Sequence, residues 1–543
     1  MDKVGKNGIF LALPMLFGNA LFFLFPFLWV VIISLTFGVN RQWIGLQNYQ
    51  ELLSNPMFKI AVVNSFKFIA ISIPLLLILS MLSALLVKRL GRYGLQLMFI
   101  MLMPLVMPSS AVTSLLQTIF SNNSVICQII FKTRLLPESW VDSPSLFGVY
   151  ICLYIWRNIG FITLMFFISL SSIPKTYYTS AKIDGSTPFR CFLNITLPQL
   201  SPAIILTSLI SLMRIFDSFR DMLLISGAHP NNAVYMLQHF IYNNFKNMNL
   251  ARLSSASLLL FIPIFLIILC ISPINQRLLF DKGFLDINRA LEFERHRLKA
   301  PYIAFSIALI AVTLSPFMYY IFKSIGEWNL LFTDKRVYLS RFANSILFSM
   351  TILIGNTCMV CAAGFCLAKL RFKGRSLLLF IMTLSALLPI HVTLAPNYII
   401  LEKLSLIDSY GALIIPQLFA PRGVFFIMLV FSSIPNGVIN AARVDGAGSL
   451  NLIRRVALPN SLFGLISVML LIFIDSWNMV EQPMAFLLST QKYPLAVYLS
   501  VIEDSAKPVL HSLTVLSMLP TTLLLCFCAK LFVNTQKASN HNQ

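Results

Sequence analysis

Charge is what this chain has least of. Asp, Glu, Lys and Arg make up 11% of its 543 residues, against roughly 25% in an ordinary soluble domain. That excludes a soluble fold of this length. Acidic residues are the scarcer kind, 20 against 41 Lys and Arg, for a net charge of +21. In a soluble chain the excess would suggest nucleic acid. Here the basic clusters, Lys88-Arg89 and Lys369 to Arg375 among them, flank apolar runs. That is the habit of cytoplasmic loops in membrane proteins, and no nucleic-acid partner is expected. The six histidines, His229, His239, His296, His391, His511 and His541, do not cluster. An embedded enzyme would need clustered acidic or His residues, so no catalytic residue and no metal site is expected. The nine cysteines are scattered and give no disulfide framework. Cys358 and Cys361 have CxxC spacing in an apolar run with no second pair, and they read as packing residues. A GxxxxGK[ST] phosphate loop is missing, so nucleotide chemistry of that kind is not expected on this chain. No cleavable signal is expected either: the stretch from Ile9 to Phe37 is far longer than a signal core of ~7–15 residues.

Apolar residues fill the space. They make up 57% of the chain, and the mean hydropathy is +0.81. Runs of the ~20 residues that cross a bilayer recur throughout. Six fall at 9–37, 60–87, 95–120, 146–171, 200–226 and 253–275, and six more at 301–323, 342–368, 376–400, 408–432, 459–482 and 510–533. Lipid leaves runs of this length no choice but helix. The expectation is an all-α polytopic membrane protein of about 12 transmembrane helices. The divisions are a first half at 1–274, a polar cytoplasmic linker at 275–300 and a second half at 301–543. With the N-terminus inside, most Lys and Arg fall on the cytoplasmic side, and the C-terminus is inside as well. An even number of spans separates the halves, so they form a parallel repeat.

A direct repeat supports that division. Residues 171–198 read SSIPKTYYTSAKIDGSTPFRCFLNITLP, and residues 432–459 read SSIPNGVINAARVDGAGSLNLIRRVALP, in register at an offset of 261 residues. Pro174 suits the first turn of a helix. Asp184-Gly185 stops it, because glycine takes the left-handed conformation of a helix end. Thr187-Pro188 restarts the chain as a cap followed by proline. Leu197-Pro198 leads into the next span. The second copy uses Pro435, Asp445-Gly446, Ser449 and Leu458-Pro459. Each copy reads as a helix, a sharp turn and a helix, joined to two spans in the cytoplasm. That shape suits a lever.

The stretches at 174–198 and 435–459 resemble the EAA loops of ABC importer permeases, with the triplet at Thr179-Ser180-Ala181 and Asn440-Ala441-Ala442 and the glycine at Gly185 and Gly446. The likeness extends along the chain. The first half, with IGLQNYQELLSNPMFKIAVVNSFKF at 44–68 and MPLVMPS at 103–109, is similar to the first permease subunit of maltose-type carbohydrate importers. The second half, with NSILFS at 344–349, LAKLRFKGR at 367–375 and DSWNMVEQP at 475–483, is similar to its partner subunit. The resemblance implies two permease subunits fused in one chain, with the type I ABC importer permease fold. It implies two cytoplasmic ABC ATPase subunits that carry ATP and Mg, each seating one loop, and an extracytoplasmic solute-binding protein that delivers a carbohydrate. No cofactor is implied for this chain, which sits among lipid in a bacterial cell membrane. The family's loop glutamate is replaced by Thr179 and Asn440, so the docking carboxylate is missing from both loops.

By the same resemblance the substrate lies against Tyr154, Asn158 and Phe161 before the first loop, and Ser211, Arg214 and Ser218 after it. Trp477-Asn478 is the matching region of the second half. Charges in or near spans give a separate hint: Arg157, Arg214, Asp217, Arg220 and Asp475. Such groups face a cavity or a partner. Arg214 and Asp217, three apart on one helix, suit a structural ion pair. Arg157, Arg214 and Arg220 together would instead favour an acidic sugar or a sugar phosphate. An ion-driven secondary transporter with the same symmetry is the rival class, and glycerol phosphate esters are the rival substrate.

Overall fold

The structure is a computed structural model. It describes residues 3–37, 42–119, 143–280, 300–329, 335–370, 372–501 and 509–541. Most of the expected linker, and His296 within it, lies outside these residues. Eight described helices are long and apolar enough to cross a membrane. In chain order they are segments one (Phe10–Ser34), two (Pro56–Leu90), four (Leu146–Ser172), five (Pro188–Ser226), seven (Tyr302–Ser324), eight (Tyr338–Lys369), ten (Tyr410–Ser432) and twelve (Leu510–Leu531). Segment six is the helix Leu250–Phe280, which runs into the stretch read as linker. Segments three, nine and eleven are helix pairs bent by 89°, 94° and 91°. With each bent pair taken as one span, the described residues give eleven segments where they are expected, and the shorter apolar helix Leu250–Leu266 stands at the place of the sixth; segments three, nine and eleven are broken, not single straight spans.

Two of the breaks share a cause. Segment three bends between Val106 and Ser109, and segment nine between Leu387 and Ile390. Met107 and Leu388 are extended, with ψ of 129° and 122°, and a proline follows each. Proline pushes the residue before it out of the helical region and offers no N–H. The carbonyl freed at Met107 accepts from the Arg157 guanidinium at 2.7 Å.

Within each half, the second segment packs on the fourth, and the fourth on the third and fifth. The first segment of each half reaches across to the other half. Segment one packs on segments eight and nine, and segment seven on segment three. Lipid supplies no hydrophobic drive for helix pairing, so close packing and hydrogen bonds must hold such crossings. Gly18 meets the Phe419 ring, and a Cβ there would lie 2.0 Å from ring carbon. Within the π-helical turn at Ala20–Leu24, the Phe22 carbonyl accepts from Asn397 Nδ2 at 3.1 Å. Ser385 donates to Asn19 at 3.1 Å, and Tyr320 donates to the Ala111 carbonyl at the other crossing. Inside the first half, Gly160 lets segment four press on the backbone of Met101.

Candidate functional site: a cavity between the halves and two repeated loops

A cavity of about 150 Å³ lies between the halves. Its walls come from segments one, three, four and five on one side and from segments eight to eleven, with the stretch after segment eleven, on the other. Eight of its lining residues are charged, four arginines and four acids. Arg157 bonds Asp221 and Ser109 Oγ, the latter at 3.1 Å. Arg214 bonds Asp475 at 3.2 Å, and Arg422 bonds Asp217 at 2.8 Å. Arg220 faces Glu481 at 4.0 Å and donates to the Asn478 carbonyl. Arg214 and Asp217 therefore do not pair with each other along their helix. Each pairs across the cavity, with the other half.

The repeat offset explains two of these pairs. Arg214 and Asp475 are 261 residues apart, and so are Arg220 and Glu481. Both pairs join equivalent positions of the two halves. Equivalent positions meet only close to the axis that relates the halves, so these ion pairs mark it.

Of the residues expected to meet substrate, Tyr154, Asn158, Arg214, Ser218 and Asn478 line the cavity. Phe161, Ser211 and Trp477 do not. Phe161 is buried under the Arg214 guanidinium, 5.7 Å from its ring centre. Ser211 uses its carbonyl to accept from the Tyr154 hydroxyl at 2.7 Å. Trp477 stacks on Phe473 and donates to the Ser517 carbonyl at 2.9 Å, which makes it a packing residue. Sequence reasoning missed Arg422, Asn397 and Glu481. Setting the halves in register at 261 would have placed Glu481 opposite Arg220.

The repeated stretches form the expected shape. The first helix is Lys175–Ile183, and its counterpart is Asn436–Val444. Both end on a left-handed glycine, Gly185 at φ +72° and Gly446 at φ +81°. Ser186 N–H returns to the Ala181 carbonyl at 2.9 Å, and Ala447 N–H to the Ala442 carbonyl at 3.0 Å. Such bonds satisfy carbonyls that a helix end leaves open. Asp184 and Asp445 are exposed at the turns. Thr187 caps the next helix in the first loop through its hydroxyl. Gly448 holds that place in the second, with Ser449 as the first helical residue. Pro198 and Pro459 lie in the first turn of the helices that follow.

The end of the segment that leads into each loop is tied to an earlier segment, segment four to segment two and segment ten to segment eight. Lys88 Nζ donates to the Leu170 carbonyl at 2.8 Å. Lys369 Nζ donates to the carbonyls of Ser432 and Ile434 at 3.2 and 2.6 Å. The outer surface of the loops is apolar at matched positions. Ile183 and Val444 are 87% and 88% exposed, and Phe189 and Leu450 are 70% and 65% exposed. Thr179, Ser180, Asn440 and Ala441 are exposed beside them. Thr179 folds its hydroxyl back onto the Thr176 carbonyl at 2.9 Å.

A duplicated helical bundle around an axial cavity, with a lever-shaped loop on each half, defines the membrane component of a transporter. Residues 76–285 and 360–534 each match the family of binding-protein-dependent transport system inner membrane components. The chain belongs to that family, and carries its domain twice. It is 26% identical over 213 residues to the arabinooligosaccharides transport system permease protein AraQ of Halalkalibacterium halodurans, covering 39% of this chain and 76% of that one. It is 29% identical over 210 residues to the diacetylchitobiose uptake system permease protein DasB of Streptomyces coelicolor, covering 37% and 63%. It is 28% identical over 268 residues to the trehalose/maltose transport system permease protein MalF of Thermococcus litoralis, covering 48% and 90%.

Proposed function

We propose that this chain is the whole transmembrane part of an ATP-driven importer of oligosaccharides, with both permease subunits in one polypeptide. Two ATPase subunits bind ATP and Mg at the cytoplasmic face, and each seats one loop. A solute-binding protein delivers the sugar at the opposite face. Both termini lie in the cytoplasm of a bacterial cell. The observation that carries this reading is the pair of repeated loops. Two rigid levers at equivalent positions, each exposing an isoleucine or valine and a phenylalanine or leucine, suit two equivalent grooves on a partner. With Thr179 and Asn440 where the family has glutamate, docking rests on these apolar contacts. An exposed charge pair contributes less than ~1 kcal/mol. Burying one large apolar side chain contributes about 1.5–3 kcal/mol, so packing outweighs the missing charge. The names of the relatives and the polar cavity support a sugar as cargo. The cavity, at about 150 Å³, is below the ~300–1,000 Å³ of ligand pockets, so an oligosaccharide passes only after the halves part.

Purification in mild detergent from the native host, followed by mass spectrometry, tests the reading. The expected result is an ATPase with a phosphate loop at two copies per chain, and uptake that stops without ATP. A chain that emerges alone and moves sugar in ATP-free liposomes under an ion gradient would sink it.

A further inference from the structure

The hydrogen-bonding groups of the cavity divide unequally between the halves. On the first half they are committed, Arg220 Nε excepted. Tyr154 donates its hydroxyl to Ser211, Asn158 donates to the Tyr154 carbonyl at 2.8 Å, and Ser218 donates to the Ile215 carbonyl at 2.7 Å. On the other wall they are not. Asn478 lines the cavity with neither end of its carboxamide bonded, although the residue is 2% exposed. Asn397 Oδ1 and Glu481 Oε1 also lack hydrogen bonds, in residues 6% and 3% exposed. Arg220 Nε, from segment five of the first half, also lacks a hydrogen bond; it stands 4.0 Å from Glu481 Oε1, so these two atoms form a loose ion pair with each other. Buried polar atoms without partners are rare and costly, so a group of them in one wall of a cavity calls for an explanation.

The chemistry of the group is mixed. Asn478 Nδ2 donates, Asn478 Oδ1 and Asn397 Oδ1 accept, and the loosely paired Arg220 Nε and Glu481 Oε1 add one donor and one acceptor beside them. A hydroxyl both donates and accepts, and two neighbouring hydroxyls match one carboxamide. A carboxylate or phosphate only accepts, and it needs an uncommitted cation. Every arginine of the cavity already faces a carboxylate, four against four.

We propose that Asn478, with Asn397 and the Arg220–Glu481 pair, forms a subsite for the hydroxyl groups of an uncharged carbohydrate, and that sugar acids and sugar phosphates are rejected there. This rests on the oligosaccharide reading above and narrows it. It moves the main polar contacts from segments four and five to segment nine and the stretch after segment eleven, with Arg220 the one contribution kept from segment five.

Saturation-transfer NMR on the purified full chain tests the proposal. The probes are maltotriose and arabinotriose as neutral trisaccharides, trigalacturonate as an acidic one, and glycerol 3-phosphate. A neutral trisaccharide is expected to bind best. Asn478→Leu should weaken that binding about 10-fold, equal to ~1.4 kcal/mol, and leave the unfolding temperature unchanged or higher, because it removes an unbonded buried amide. A lower unfolding temperature with unchanged binding would make Asn478 a structural residue and overturn the proposal. Preferred binding of trigalacturonate would overturn it while leaving the oligosaccharide reading intact. Binding of glycerol 3-phosphate alone, or of none of the four, would overturn both.

Discussion

Arg214 and Asp475 occupy the same place in the two repeats, 261 residues apart, and are bonded to each other at 3.2 Å. Removing one partner of a deeply buried pair costs about 3–5 kcal/mol. The Asp475 side chain is 42% exposed to the cavity, while that of Arg214 is 11% exposed. Screening should bring the coupling nearer ~1 kcal/mol, the upper end for open pairs. Arg214→Asp alone and Asp475→Arg alone should each lower the unfolding temperature and transport. The double exchange should recover most of both. A double mutant no better than the worse single one would show that the pair has no mutual role.

Gly185→Val and Gly446→Val together should abolish uptake and leave the chain in the membrane. Nothing lies within 4 Å of a Cβ at either site, so space is not the obstacle. The obstacle is the backbone. A non-glycine residue at such φ costs about 1–3 kcal/mol, and a β-branched one fits poorly. The loop would lose its turn while the spans keep theirs. Normal uptake by the double variant would contradict the lever.

Gly160→Ala should be far worse than its size suggests. The added Cβ would sit 2.0 Å from the Met101 carbonyl oxygen, and backbone cannot swing aside. Gly148→Ala on the same segment meets nothing within 4 Å and should be tolerated. Gel filtration in detergent separates the two: a monodisperse peak for Gly148→Ala, and loss of it for Gly160→Ala.

Asp408 predicts a pH dependence. It joins the loop before segment ten to the stretch after segment eleven. Its carboxylate accepts from the Ser489 hydroxyl and N–H, from Lys492 and from the Leu488 N–H. These bonds, those from Ser489 foremost, hold its carboxyl well below the ordinary carboxylate range. A depressed folded value contributes stability above the unfolded pKa of ~3.9, and that contribution fades as pH falls through the folded value. The unfolding temperature should therefore drop on acidification below about pH 4. In Asp408→Asn, which tolerates the same φ of +57°, that part of the drop should disappear. An identical acid profile for both chains would refute the assignment.

Much of this was written in the sequence. Hydropathy placed eleven of the segments and the shorter apolar helix at the sixth, and one repeat placed both loops, both turn glycines and the symmetry. The broken segments were harder to see. Pro74, Pro316 and Pro520 sit inside continuous helices, whereas Pro108 and Pro389 end theirs. A proline in a span does not by itself decide between the two. At Met107 the freed carbonyl has Arg157 to receive it, and Arg157 arrives from another segment. The ion pairs were misread for a similar reason. Along one helix Asp217 is the nearest acid to Arg214. Only the meeting of the halves offers each of them a different partner.

The axial ion pairs also decide what may assemble. Two copies of the first half, brought together about this axis, would set Arg214 against Arg214 and Arg220 against Arg220. Two copies of the second half would set Asp475 against Asp475 and Glu481 against Glu481. Like charges repel at such a seam, and opposite charges meet only when one half of each kind is present. Self-pairing is disfavoured at the very positions that close the correct assembly, and the single polypeptide supplies the two kinds in equal number.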